Sequence, residues 1–235
     1  MKVVILAAGL GTRLRPITYQ TPKPLIPILG KPFLWYCLEN FRTAKFNDFI
    51  IVAHYMIDKI SAFVKNYKAE TGCKIEIIDQ GSPNAGTGHA VLSVKKLVNE
   101  NFIVAMSDNL FSPKDLSKFA INDNYIYVGA IRHQNPERYG NLLFNGNFLK
   151  EIVEKPKTKV SDFINAGIYK FTPEIFFALE KIKPSPRGEL ELTDAITLLC
   201  AEKKVKTIFL EDYWLDLSRP EDIQKIEEFL KIILP

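Results

Sequence analysis

The stretch Val3-Val4-Ile5-Leu6-Ala7-Ala8-Gly9-Leu10-Gly11-Thr12-Arg13-Leu14-Arg15-Pro16, carried on to Pro22-Lys23-Pro24-Leu25, decides how the chain is read. Its opening run, Val3 to Ala7, is continuously apolar instead of alternating, the pattern of a strand buried on both faces of a parallel sheet. A glycine-bearing loop follows at once. In open parallel sheets, ligands bind beyond the carboxyl ends of strands, where this loop would lie. Gly9 and Gly11 let the backbone approach an anion and turn N–H groups toward it. Arg13 offers a fork of donors for phosphate oxygens, and Lys23 a mobile point charge. Two familiar phosphate loops are excluded. The dinucleotide fingerprint needs glycine where Leu14 stands, and the P-loop needs glycine at Leu25 and Ser or Thr at Pro32.

Outward from this loop, Phe49 to Ala53, Ile75 to Ile78 and Phe102 to Met106 repeat the buried-strand pattern. Helices are predicted between them over Phe33 to Phe41, Asp58 to Tyr67 and Gly88 to Val98, with Pro32 where a first helical turn tolerates it. Strand and helix alternating at this spacing give right-handed crossovers and a parallel sheet. After Asp108 the rhythm changes. Strands are expected at Asn124 to Arg132, Ile164 to Phe171 and Thr207 to Leu210, with a hairpin of Asn141 to Phe144 and Phe148 to Val153 around Asn145-Gly146-Asn147. Helices open at Pro173 and Thr193, and Pro220 to Ile233 forms a closing amphipathic helix. The class is α/β: a Rossmann-like, mixed but mainly parallel sheet flanked by helices, with antiparallel strands added by the second half. No linker or internal repeat divides the chain, so 1–235 reads as one unit with halves at 1–110 and 111–235.

Composition narrows the class of function. The 235 residues are 47% apolar and 25% charged, the balance of a globular protein, which excludes disorder, collagen and a disulfide miniature. Lys and Arg number 31 against 27 Asp and Glu, a net +4 that suits anionic small molecules and is too weak to argue for nucleic acid. Cys37, Cys73 and Cys200 are far apart and form no metal or redox pair, so they read as buried thiols in a reducing compartment. The apolar start runs straight into glycines and Arg13, unlike a signal peptide, and no apolar run nears the ~20 residues that cross a bilayer. The expected location is cytoplasmic, without membrane or nucleic-acid partners.

The run from Gly9 to Leu25 matches G-x-G-T-R-L-x-P-x-T-x-x-x-P-K-P-L residue for residue. It is followed by Gly86-Thr87-Gly88-His89-Ala90, Asp108-Asn109, Tyr139-Gly140, Val153-Glu154-Lys155-Pro156, Asn165-Ala166-Gly167-Ile168-Tyr169, Gly188 to Asp194 and Trp214-Leu215-Asp216. In this ordered set the chain resembles the sugar nucleotidyltransferases, or nucleotide-sugar pyrophosphorylases, over nearly its whole length. The resemblance implies attack of a sugar 1-phosphate on the α-phosphorus of a nucleoside triphosphate, with release of pyrophosphate. The nucleophile is a phosphate oxygen whose second pKa is about 6, so it is already ionised and no general base is required. What the reaction needs is charge neutralisation, in-line positioning and a divalent metal.

By this resemblance Arg13, Lys23 and Asp108 are the catalytic residues: Arg13 at the β- and γ-phosphates, Lys23 near the α-phosphate. Asp108 and Asp216 would hold Mg²⁺, which favours hard oxygen ligands. The nucleotide would meet Ala7, Ala8, Gly9, Gly11, Thr12, Gln80, Gly86 and Thr87, with the Gln80 amide answering a pyrimidine edge. Gly140, Glu154, Lys155 and Asn165 would meet the sugar phosphate, and the first half becomes the nucleotide-binding half, the second the sugar-binding half. Each assignment has a plainer alternative. Asp108 could cap a helix starting near Ser112, Asp216 could lie in a solvated turn, Asn165 could satisfy a local turn, and Gln80 could be a surface residue. The chain departs from the family pattern at Ser107, where glycine is common, and at Ser218-Arg219, where Gly-Thr is common; Arg219 reads as a surface residue.

The base stays open between dTTP and UTP. The Leu25-Ile26-Pro27 region and the Gly188 to Asp194 run resemble glucose-1-phosphate thymidylyltransferases. Gly86 to Ala90 resembles uridylyl enzymes acting on N-acetylglucosamine 1-phosphate. Glucose 1-phosphate is the default acceptor. A noncatalytic nucleotide-sugar-binding homologue is the reading from another class, and the retention of every central charge argues against it. A phosphorylated alcohol as acceptor is disfavoured by Glu154 and Asn165. Members of the family often form dimers or tetramers, so the resemblance allows a homo-oligomer, but the oligomeric state is not readable from the sequence. Nothing resembles the hexapeptide-repeat β-helix that longer relatives append, so transferase activity alone is expected.

Overall fold

The computed structural model describes residues 1–82, 84–186 and 188–234. The first half runs β1 (Lys2–Ala7), a ribbon of β2 (Pro27–Ile28) and β3 (Lys31–Pro32), α1 (Phe33–Thr43), β4 (Asp48–Ala53) and α2 (Ile57–Thr71). It continues with β5 (Lys74–Asp79), α3 (Gly86–Leu92) and β6 (Phe102–Met106). Next come β7 (Asn109–Phe111), α4 (Pro113–Ser117), β8 (Ile126–Arg132), β9 (Gly140–Asn145), β10 (Phe148–Glu154) and β11 (Phe163–Phe171). The chain finishes with α5 (Glu174–Leu179), α6 (Leu192–Cys200), β12 (Val205–Phe209), β13 (Trp214–Asp216) and α7 (Pro220–Ile233).

Parallel pairing joins β1 to β4 and β6, and β4 to β5, so Val3 to Ala7, Phe49 to Ala53 and Phe102 to Met106 do form the centre of a parallel sheet. Ile75 to Ile78 does not: Glu76 interrupts it, and β5 is the edge strand with only Ile75 buried. Antiparallel pairing then adds β11 against β6 and β8, and the β9–β10 hairpin at the start of β11. The expected Thr207 strand is β12, and it lies parallel to β8. One nine-stranded sheet thus includes strands from both halves.

Burial on both faces follows the two-residue period of the strands. Val3, Ile5 and Ala7 face a core completed by Phe33 and Phe41 of α1, Ile60 and Val64 of α2, and Ile226 and Leu230 of α7. Val4 and Leu6 face the other, with Val91 of α3, Phe176 of α5 and Ile196 of α6. There Phe102 stacks on Phe176 at 5.5 Å between ring centres. The three cysteines are buried and unpaired. No helix among the described residues is long and apolar enough to cross a membrane.

Several boundaries differ from the sequence reading by a few residues, and two of them have clear local reasons. The helix expected to reach Val98 ends at Leu92, where the Ser93 hydroxyl donates back to the Ala90 carbonyl (2.7 Å) and the chain tightens into a 3₁₀ turn at Lys95–Leu97. The strand expected from Asn124 begins at Ile126, because the Asp123 carboxylate takes the Tyr125 N–H (3.1 Å) in a turn.

Candidate active site

The loop after β1 is held as three single-turn 3₁₀ helices, Thr12–Leu14, Ile17–Tyr19 and Lys23–Leu25. Gly11 has φ +64°, and a Cβ there would stand 2.9 Å from Thr18 Cγ2. The Thr18 hydroxyl donates to the Gly11 carbonyl (2.9 Å), and the Tyr55 hydroxyl to the Thr18 carbonyl (2.7 Å). Leu14 is buried in the core and anchors the first turn. Gly9 differs: a Cβ there would meet nothing within 4 Å, and the residue borders open space. The fold requires glycine at 11 and leaves position 9 free.

Asp108 lies in the turn between β6 and β7, at the same sheet edge as the loop. The Lys23 ammonium group, from the third 3₁₀ turn, forms an ion pair with Asp108 Oδ2, while Asn109 Nδ2 donates to Oδ1 (3.1 Å). The helix near Ser112 is capped by Ser112 itself, whose hydroxyl accepts the Asp115 N–H (3.1 Å). Asp108 is therefore not its cap.

Asp216 reaches this carboxylate through a two-strand ribbon outside the main sheet. β13 pairs antiparallel with β7, setting Asp216 opposite Asn109, and the Leu217 N–H donates to the Asp108 carbonyl (2.8 Å). Tyr139 and Ser218 hydroxyls both donate to Asp216 Oδ2, at 3.2 and 2.5 Å. Burial raises the Asp216 carboxyl pKa, and the charge of Asp108 raises it further, against opposing contributions from the Ser218 hydroxyl, Lys23 and the Tyr139 hydroxyl. Tyr139 is pushed up by burial and by the Asp216 charge. Upstream, the side chain of Asp115 is fully buried and accepts the N–H groups of Glu211 (3.1 Å) and Asp212 (2.9 Å), while Lys118 pairs with it at 2.8 Å. That carboxylate fixes the segment leading into β13.

Two cavities share a wall made by Arg13, Thr87, Met106, Asp108, Glu189 and Ser218. The first, of about 340 Å³, is lined by Ala7, Ala8, Gly9, Gly11, Thr12, Lys23, Gln80 and Gly86 besides the wall. Gly86 has φ +87°, and a Cβ there would fall 2.4 Å from the Leu190 carbonyl oxygen. The Gly86 turn is stitched to the segment before α6 by Gly88 N–H to Leu190 O (2.8 Å) and Leu190 N–H to Ala85 O (3.0 Å). Gln80 is buried, and its Nε2 donates to the Ser82 carbonyl (2.9 Å), so it is not a surface residue.

The second cavity, of about 320 Å³, is lined by Gly140, Glu154, Lys155, Asn165 and Asp216 besides the wall. Gly140 and Glu154 are cross-strand partners in the β9–β10 hairpin. Lys155 takes a left-handed backbone (φ +43°), its N–H bonded to the Tyr139 carbonyl (3.2 Å). Asn165 does close a local turn: Oδ1 accepts the Gly167 N–H (3.1 Å), and Nδ2 donates to the Tyr169 hydroxyl (2.7 Å). Arg13 stands exposed at the mouth of both cavities and makes no ion pair among the described residues. Arg219 lies outside both, at the start of α7, 3.8 Å from Glu221.

Every residue assigned to the site from the sequence thus borders one of two adjoining cavities. Sequence reasoning missed Ser218, Arg138, Thr193 and Trp214 as lining residues. Thr193 and Trp214 carried a signal as members of matched motifs, and Ser218 as a hydroxyl two positions after Asp216 where the family pattern often has glycine; Arg138 carried none. Trp214 is positioned by its indole N–H to the Ala166 carbonyl (3.1 Å) and packs edge-on against Tyr139.

The family model described as nucleotidyl transferase matches residues 2–232. The chain belongs to the nucleotidyl transferase family. Among its relatives, the bifunctional protein GlmU of Methanocaldococcus jannaschii is 43% identical over 98% of this chain and 54% of its own length. The UTP–glucose-1-phosphate uridylyltransferase AglF of Haloferax volcanii is 32% identical over 98% of this chain and 97% of its own. A Bacillus anthracis structure, assigned provisionally as a glucose-1-phosphate thymidylyltransferase and bound to sucrose, superposes with a TM-score of 0.85 at 27% identity, covering 97% of this chain and 94% of that one. The chain spans about half the length of the bifunctional relatives it matches. Its family is that of the sugar-1-phosphate nucleotidyltransferases, and its fold is theirs.

Proposed function

We propose that this chain transfers a nucleotidyl group from a pyrimidine nucleoside triphosphate, UTP or dTTP, to a sugar 1-phosphate, with glucose 1-phosphate as first acceptor. The observation that carries the reading is the shared wall: Asp108 and Arg13 border both cavities, so two anionic substrates would meet across them. In the proposal, the triphosphate occupies the glycine-loop cavity and the sugar phosphate the hairpin cavity. A sugar-phosphate oxygen attacks the α-phosphorus, and the bond to the bridging oxygen of pyrophosphate breaks in line. The nucleophile needs no base. Lys23 neutralises charge on the α-phosphate, and Arg13 the charge growing on pyrophosphate as it leaves. Lys155 holds the acceptor phosphate, and Glu154 with the Gly140 N–H orients sugar hydroxyls.

Mg²⁺ fits the pair Asp108 and Asp216. Both offer hard carboxylate oxygens, and the Lys23 ammonium ion against Asp108 marks a position that already attracts a cation. When bound, the ion would supply charge neutralisation at the reacting phosphates. The name of the Haloferax relative supports UTP and glucose 1-phosphate. A second reading, uridylyl transfer to N-acetylglucosamine 1-phosphate, is favoured by the Gly86 to Ala90 run and by the 43% identity to a GlmU protein. The test is pyrophosphate release from UTP, dTTP, CTP, ATP and GTP against glucose, N-acetylglucosamine, galactose and mannose 1-phosphates, with and without Mg²⁺. Release confined to a pyrimidine triphosphate with one of the first two sugars, and lost without Mg²⁺, is expected. No release in any combination would make the chain a binding homologue.

A further inference from the structure

Asp108 and Asp216 are arranged unequally. Asp108 Oδ2 is held by the Lys23 ammonium group, whose side chain is only 13% exposed. Among the described residues, Asp216 has only neutral hydroxyl donors, from Tyr139 and Ser218, and both act on the same oxygen. Lys23 is thus the one cation paired with either carboxylate among the described residues. Arg13, the cation on the shared wall, pairs with neither. Two carboxylates and one ammonium group leave a single negative charge. A divalent ion arriving while Lys23 stays in place meets a positive charge already seated on the carboxylate it needs.

We infer that Lys23 is a built-in competitor of the divalent ion, yielding Asp108 only when a polyphosphate draws the ammonium group away. This rests on the reading of Asp108 and Asp216 as cation ligands. The first cavity supplies the alternative partner: Lys23 lines it together with the glycine loop, so phosphate oxygens bound there offer the ammonium group a new counter-ion. Metal and polyphosphate then bind cooperatively, each raising affinity for the other by the same factor. The empty enzyme holds metal weakly, and the loaded enzyme holds it well.

The test is Mn²⁺ binding to the nucleotide-free chain, followed by electron paramagnetic resonance of the free ion, so no turnover is involved. Lys23→Met is expected to bind Mn²⁺ about tenfold more tightly than the unsubstituted chain, while Lys23→Arg, which keeps the charge, gains nothing. Lys23→Gln serves as a second neutral variant should Lys23→Met fail to melt cooperatively. If neither neutral variant binds Mn²⁺ more tightly, the competitor role is overturned; the metal reading is judged separately, by whether pyrophosphate release requires Mg²⁺. Adding Asp108→Asn to Lys23→Met should abolish the gain. A gain that survives it overturns the assignment of the cation to Asp108, and the competitor role with it.

Discussion

The two cavities are built by opposite means. The first is made largely from consecutive residues of one loop, with backbone and small side chains from Ala7 to Thr12 presented at the end of β1. The second is assembled from side chains on β9, β10, β11 and β13, none of which follows another without a turn or a long excursion. The first depends on local backbone conformation, the second on convergence. Their common wall, with Asp108 at its centre, is where damage should cross from one to the other.

The sharpest way to break the comparison is therefore Asp108→Asn. In the proposed reaction it loses charge at both cavities and should lower turnover by about 10³-fold while the melting temperature stays near that of the parent chain. Near-normal pyrophosphate release would remove Asp108 from the reacting centre. Next in size is Asp115→Ala, at a residue that lines neither cavity and acts on the convergent one through the segment leading into β13. It strands the N–H groups of Glu211 and Asp212 and should destabilise the chain by about 3 kcal/mol, measured by urea unfolding. The sign of the pH effect is fixed by the same contacts. Burial pushes the Asp115 carboxyl up, but Lys118 and the two N–H groups outweigh it and hold the pKa below the usual carboxylate range. A lowered folded pKa contributes stability above the unfolded value, about 3.9, and loses it as pH falls toward the folded one. The stability gap between parent and variant should accordingly narrow below about pH 4. A gap unchanged between pH 7 and pH 3 would mean that Asp115 acts without its charge.

The same contrast governs what could be read before folding. The parallel centre was legible because Val3 to Ala7, Phe49 to Ala53 and Phe102 to Met106 need cover on both faces, and continuous apolar runs state that requirement locally; Ile75 to Ile78, interrupted by Glu76, became the edge strand. The hairpin was legible from Asn145-Gly146-Asn147. The ribbon of β7 and β13 was not, since three-residue strands carry no periodicity and their pairing joins residues more than a hundred positions apart. Asp216 could be named from a motif, but its delivery to Asp108 depends on that pairing and on Asp115, a carboxylate that looks like any first-turn acid in the sequence. Gln80 and Asn165 were ambiguous for another reason. An amide's role is set by which partners remain, and only the fold reveals that Asn165 has already committed Oδ1 and Nδ2 to Gly167 and Tyr169.

Within the first cavity, two glycines separate conformation from ligand access. Gly11→Ala must accept φ +64° and a clash with Thr18, so it should cost about 2 kcal/mol by thermal or urea unfolding. Gly9→Ala meets no protein atom and should leave unfolding unchanged. If phosphates approach the backbone at Gly9 as proposed, the added methyl group should weaken nucleotide binding, read as a raised KM for the triphosphate. Equal destabilisation by both substitutions would contradict the distinction; equal silence at Gly9 in both assays would move the phosphates elsewhere.

The smallest effect expected is at Gln80, and it bears on selectivity instead of rate. Its Nε2 donates to the Ser82 carbonyl, so in the proposed base pocket Oε1 would be the end of the amide that accepts from a ligand. An acceptor in that position suits the imide N–H of uracil or thymine and opposes cytosine, which has a lone pair there. Gln80→Ala should thus reduce the preference for UTP or dTTP over CTP by about tenfold, the worth of one hydrogen bond, with a smaller change in maximal rate. Because Gln80 is buried, the alanine also leaves a small void, and a general loss would lower kcat/KM for all five triphosphates together. Only a change in their ranking bears on base recognition, and an unaltered ranking would take Gln80 out of the base pocket while leaving the glycine loop and Asp108 untouched.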